Sequence, residues 1–256
     1  MLIGIMVRSV GLGSARPVDL PMPRSLVRSA RYAAEEGVPP MPPQNVVLYD
    51  SAVRNLFDPS VLRWPQLRDS LHVYILPGSE FVNIVQPAVD VVARFDFCVP
   101  VAPQWMHATV TRIPWWRTEV DDRTLAEFGH ALDVIAAGTA AFSMQMTGPF
   151  PDETGVAMEA ASSALWRRLL DGTRAAAEQI FGTGRPLPAP PTKPHVSLGY
   201  GVADADSEHL LGALKPVEVS GELAVKELCF VAVHQDPSAG TFVWDVISLH
   251  QLASEA

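Results

Sequence analysis

The sequence predicts an α+β fold of two duplicated lobes, with curved, mainly antiparallel sheets, helices outside and a central cleft. Three observations carry this. The segments His107-Ala108-Thr109-Val110 and His195-Val196-Ser197-Leu198 repeat one pattern 88 positions apart, each setting a histidine two residues before a small hydroxyl residue. The halves around them share one order of elements: strand, helix, motif strand, helix. The chain has 256 residues, 48% hydrophobic and 18% charged, which suits an ordinary globular protein with a proper core.

Residues 1–70 differ from the rest. They hold nine of the 23 prolines, with Pro39-Pro40-Met41-Pro42-Pro43 among them, and no lysine. Proline at that density stiffens an extended path and forbids long helices. This part reads as an extension packed on the main body, with a strand at Met1–Val7, a short helix at Ser25–Glu36 and a short strand at Val46–Tyr49. The main body spans 71–256, with lobes of about 71–140 and 141–256.

In the first lobe, Leu71–Leu76 reads as a strand stopped by Pro77-Gly78. Residues 81–95 include a helix with Pro87 near its first turn. The first motif strand follows, Met106–Ile113. Thr124-x-x-Glu127 is a capping-box signature, and Leu125, Phe128, Leu132 and Ile135 continue it at helical spacing.

The second lobe repeats the plan. Phe142, Met144 and Met146 alternate as a strand, and Gly155–Glu159 forms another. Ser162 or Ser163 caps a helix through Leu165, Leu169, Ala176 and Ile180 that stops at Gly182. The second motif strand is Pro194–Tyr200, then a short helix covers Ser207–Leu214. The chain closes as a hairpin, Val225–Gln235 and Thr241–Leu249 around a turn at 236–240.

Within a strand, residues i and i+2 share a face about 6.6 Å apart. Each motif therefore offers one imidazole and one hydroxyl to a common surface. Paired side by side near the middle of one sheet, the two motif strands would bring two histidines and two hydroxyls into one small volume.

With 19 basic against 28 acidic residues the net charge is −9, which argues against a long nucleic-acid duplex as partner. A small anion held locally remains compatible. Cys98 and Cys229, both in apolar runs, read as buried free thiols of a reducing, cytoplasmic compartment, with a bridge between them as the alternative. No apolar run reaches the roughly 18 residues of a membrane span, and Met1–Val7 lacks the basic flank of a signal peptide. No Cys/His cluster has metal-ligand spacing.

These motifs resemble those of the 2H phosphoesterase superfamily, whose H-x-[ST]-hydrophobic motifs lie one in each lobe of a duplicated fold. Pro194-His195-Val196-Ser197-Leu198-Gly199-Tyr200 is similar to the second motif of the 2′-5′ RNA ligase-like and cyclic phosphodiesterase branches. Pro103-Gln104-Trp105-Met106-His107 resembles the approach to the first. The resemblance covers roughly residues 70–250. It implies a metal-independent phosphodiesterase without cofactor, acting on 2′,3′-cyclic nucleotides, RNA ends or a related small phosphodiester. It also implies His107 and His195 as catalytic, and Thr109 and Ser197 as phosphate-binding.

Ring opening of a cyclic phosphate needs one neutral and one protonated imidazole, which coexist near an ordinary histidine pKa of about 6.5. For hydrolysis His195 is assigned as base and His107 as acid, and the roles swap in the ligation direction. Lys193 and Trp105 are candidate substrate contacts beside ordinary surface and packing roles; so are Arg112, Trp115 and Trp116. The resemblance sets Tyr200 beside the substrate, whereas strict alternation points it away from His195; a bulge or strand end would reconcile the two. His72, His130, His209, His234 and His250 read as structural or solvent-facing.

Gly11-Leu12-Gly13 lacks the third glycine and the helix of a dinucleotide loop, and Gly182-Thr183-Gly184-Arg185 lacks the lysine-hydroxyl ending of a phosphate loop. Two readings stand beside the enzyme: a binding module for nucleotides or RNA ends without turnover, and an interaction protein docking through its first seventy residues.

Overall fold

The structure is a computed structural model describing residues 52–254. The strands expected at Met1–Val7 and Val46–Tyr49, the helix at Ser25–Glu36, the Gly11–Gly13 turn and the Pro39–Pro43 run lie outside the described residues. The first elements are β1 (Ala52–Val53), β2 (Ser70–Ile75), α1 (Ser79–Val92), β3 (Cys98–Pro100), β4 (Ala108–Trp116) and α2 (Asp122–Ala137). Then come β5 (Phe142–Asp152), β6 (Gly155–Ala160), α3 (Ala164–Phe181), β7 (His195–Gly201) and β8 (Ala205–Asp206). The last are α4 (Glu208–Leu214), β9 (Val219–Val225), β10 (Glu227–Asp236) and β11 (Thr241–Gln251).

One nine-stranded antiparallel sheet carries the order β11-β10-β2-β4-β7-β6-β5-β9, with β3 paired beside β7. The two motif strands, β4 and β7, are adjacent at its centre and divide it into a four-stranded half (β11-β10-β2-β4) and a five-stranded half (β7-β6-β5-β9 with β3). β1 and β8 form a separate two-stranded ribbon. Sequence order does not respect the halves. The C-terminal hairpin, read as part of the second lobe, pairs through β10 with β2 of the first. The helices also cross over: α1, which follows β2, packs on β7 and β9, while α3, which precedes β7, packs on β4 and α2.

Local chemistry explains most element ends. Helix α3 starts where the Ser163 hydroxyl accepts the Trp166 N–H (3.1 Å) and ends at Gly182, whose φ of 79° suits a residue without Cβ. Helix α2 is capped by Asp121, whose carboxylate accepts the Thr124 N–H (2.7 Å). Thr124 is thus the third helical residue and not the cap, because the carboxylate three residues earlier takes the free amide. Pro87 sits inside α1 as its ninth residue, not near its first turn. An interior proline costs about 3 kcal/mol, and burial of Phe81, Val85, Val89 and Val92 offsets it at about 1.5–3 kcal/mol each.

Both motif strands are bulged. In β4, Tyr74 pairs with Thr109 and Val73 with Thr111, so Val110 is the extra residue. In β7, Ala157 pairs with Ser197 and Val156 with Gly199, so Leu198 is the extra residue. A bulge reverses the alternation of side chains beyond it. Up to the bulge, the histidine and hydroxyl positions are half-buried while Ala108, Val110, Val196 and Leu198 are wholly buried. Past it, Thr111 accepts from Arg174 of α3, and a Cβ on Gly199 would meet Val92 of α1 at 2.5 Å. Both of those positions therefore face the helices.

Candidate active site

Strands β4 and β7 pair at Ala108 and Val196, the central residues of the two motifs. Because the strands are antiparallel, the flanking positions fall across from one another: His107 by Ser197, and Thr109 by His195. One cavity of about 230 Å³ is lined by all four of these side chains.

His107 stands immediately before β4 and not within it. Its Nδ1 lies 3.0 Å from the Trp105 carbonyl and donates to it, while His195 Nδ1 lies 3.2 Å from the Lys193 carbonyl. The two rings use the same device, a carbonyl two residues upstream, and each keeps Nε2 for other work. The surroundings differ. His107 stacks on Tyr74, with ring centroids 4.0 Å apart at 21°, and meets the edge of Trp244 at 5.0 Å. This burial lowers its pKa to about 4; donation to Trp105 opposes the shift and the nearby His195 adds to it.

Tyr200 lines the same cavity and bonds Ser197 through its hydroxyl. The bulge at Leu198 supplies the missing step: Tyr200 lies three residues beyond Ser197 yet shares its face. Burial holds its phenol well above the ordinary range. Arg112 is the matching position on β4, three residues beyond Thr109, but it stacks on Trp64 (4.7 Å) and does not line the cavity.

The other expected contacts lie elsewhere. Lys193 is exposed and pairs with Glu159 (2.6 Å). Trp105 packs against Trp244 (4.9 Å) and contributes its carbonyl, not its ring. Trp115 is covered by Arg185 (4.1 Å), which also pairs with Glu119.

Several wall residues carry no motif. His72, expected to be structural or solvent-facing, lines the cavity two residues before Tyr74 on β2. It is buried, with Nε2 3.1 Å from the Ser70 hydroxyl and, among the described residues, no partner for Nδ1. Burial lowers its pKa well below the usual value, and Arg112 and His107 add to the shift. Trp64 and Leu62 come from the segment before β2, and Phe242 from β11. Asp152 and Thr154 come from the tight β5–β6 turn. The i, i+2 spacing of His72 and Tyr74 was a usable signal once β2 was set beside β4; the others had none.

Among the described residues no three His, Cys, Asp or Glu side chains gather as metal ligands, and no helix is long and apolar enough to cross a membrane. Cys98 and Cys229 are free and buried.

No family model matches the sequence, and a search of curated proteins found no match. Solved structures do match. The protein TT0787 of Thermus thermophilus aligns with 20% identity and a TM-score of 0.56, over 73% of this chain and 100% of that one. A phosphoesterase aligns at 15% and 0.53, and E. coli LigT in apo form at 17% and 0.50, each over 73% of this chain and 99% of its own. LigT has also been solved with 3′-AMP and with ATP. At these identities the likeness concerns the fold: the chain has the two-lobed α+β fold of the 2H phosphoesterases.

Proposed function

We propose that this chain is a metal-independent phosphodiesterase acting on 2′,3′-cyclic nucleotides, RNA ends or a related small phosphodiester. The observation that carries the reading is the matched tethering of two imidazoles. Each is fixed through Nδ1 to its own backbone and lines one cavity with a hydroxyl beside it. The 3′-AMP solved on LigT points to a nucleotide with one phosphate as ligand.

Hydrolysis of the cyclic ester proceeds by attack of water on phosphorus as the bond to one ribose oxygen breaks. A neutral imidazole takes the water's proton, and a protonated one gives its proton to the departing oxygen, each worth about 10²–10⁴-fold. The burial of His107 revises the initial assignment. A ring with a pKa of about 4 is neutral near pH 7, so His107 serves as base and His195 as acid. Thr109 and Ser197 donate to the non-bridging oxygens, where charge grows in the transition state. The hydrogen bond between Tyr200 and Ser197 holds the Ser197 side chain in place.

The test is a hydrolysis panel of 2′,3′-cyclic nucleotides, 3′,5′-cyclic nucleotides and 2′-5′ dinucleotides with chelator present. Turnover that persists in chelator and disappears in His107→Ala and His195→Ala supports the reading. A strict requirement for added metal overturns it.

A further inference from the structure

The cavity that holds both histidines is poor in positive charge. No lysine or arginine lines it among the described residues. Cations near its rim are committed elsewhere: Lys193 to Glu159 (2.6 Å) and Arg54 to Glu153 (2.8 Å). Arg112 lies over the Trp64 ring, outside the lining. Among the described residues, the one carboxylate in the wall is Asp152.

Asp152 is held in place. Its Oδ1 accepts from the Thr154 amide (2.7 Å) and the Thr154 hydroxyl (3.1 Å), a turn that closes β5 onto β6. Both bonds use Oδ1, and the residue lines the cavity. The following Gly155 has a φ of 156°, and a Cβ there would run into the Gly199 carbonyl oxygen of β7. The turn is thereby seated against the second motif strand.

We infer that the pocket selects a phosphodiester carrying a single negative charge, and that Asp152 is its specificity-determining residue. Asp152 accepts a hydrogen bond from a hydroxyl or amino group on the part of the substrate that does not react, and repels a second phosphate. This rests on the phosphodiesterase reading and narrows its substrate class. The hydroxyls of Thr109 and Ser197 can satisfy a monoanion by hydrogen bonding. A further phosphate would meet the fixed carboxylate with no lysine or arginine in the described wall to balance it. In a site of effective permittivity near 20, one such encounter shifts affinity by about tenfold or more.

The experiment compares adenosine 2′,3′-cyclic phosphate with the same nucleotide bearing a 5′-phosphate, using the full chain. Both kcat/KM and dissociation constants are measured, the latter on His107→Ala so that the ligand survives. The 5′-hydroxyl nucleotide is expected to be favoured about tenfold or more in both measures. Asp152→Asn, which keeps the oxygen that Thr154 donates to, should shrink that preference severalfold, chiefly through KM of the 5′-phosphorylated compound. Asp152→Ser should do the same. Equal use of the two nucleotides, preference for the 5′-phosphate, or an unchanged ratio in both Asp152 variants overturns the inference. Discrimination in binding without turnover would leave it standing while sinking the phosphodiesterase reading, and binding of neither nucleotide would overturn it.

Discussion

Val110 and Leu198 are equivalent residues: each is the extra position of a β-bulge directly after the hydroxyl of its motif. The bulge lets an aliphatic side chain that follows Thr109 or Ser197 stay in the core while the chain resets its alternation. On β7 the reset brings Tyr200 back to the cavity. On β4 it sets Arg112 on the same face as His107, but stacked on Trp64. The two strands thus share a backbone device and differ in what it delivers, a phenol to one side and a guanidinium to the other.

Removing either imidazole should cost turnover and spare the fold. His107→Ala and His195→Ala are each expected to lower kcat by about 10²–10⁴-fold. Both side chains are half-buried at a cavity wall, so circular dichroism should match the parent. A variant that keeps full turnover would remove that histidine from the mechanism.

The hydroxyls should matter less for binding than for rate. Thr109→Val and Ser197→Ala each delete one donor to the phosphate oxygens, and kcat should drop by about 10²–10³-fold while KM moves little. Steady-state kinetics on a cyclic nucleotide checks this split. A change confined to KM would mean the donor serves the ground state alone.

Burial of His107 predicts an unusual acid limb. As the base it must be neutral, so kcat/KM should hold down to a pH near its pKa of about 4, where a solvent-exposed histidine would fail near 6.5. Stability follows the same group. Above about pH 6.5 the ring is neutral in both states and no proton difference exists. Between about 6.5 and 4 the unfolded chain binds the extra proton, so folding weakens as pH falls and levels off below 4. His72, lowered in the same direction, adds to the slope. Thermal unfolding from pH 7 to 4 should show this decline, and His107→Gln should flatten part of it.

Gly155 should resist substitution. Its φ of 156° and the Gly199 carbonyl oxygen facing its missing Cβ leave no place for a methyl group. Gly155→Ala is expected to destabilise the fold by about 1–3 kcal/mol or more, read from urea unfolding. Gly184→Ala, with open space around its Cβ position, is the comparison that should stay near neutral.

Much of this architecture was legible in residue order, because its signals are local. Period-two alternation marked β4 and β7, Ser162 or Ser163 and Gly182 marked the ends of α3, and the turn at 236–240 marked the hairpin. The pairing of the two motif strands at the sheet centre also followed from their matched patterns. The cap of α2 was misplaced because Asp121 accepts the Thr124 N–H and so starts the helix three residues earlier. The first turn of α1 was misplaced because burial of its apolar face overrides the break that proline favours.

By itself, then, the chain's residue order determined which four side chains would meet and that they would share a face, since neighbours two apart on a strand point alike whatever surrounds them. Only the tertiary structure decided the Ala108–Val196 register, the bulges that return Tyr200 to the cavity, and the aromatic cover of Tyr74 and Trp244 over His107, whose burial lowers its pKa. It also brought Asp152 and Trp64 into the wall. Register and desolvation arise from strands far apart in the sequence, and a local period carries no record of those partners.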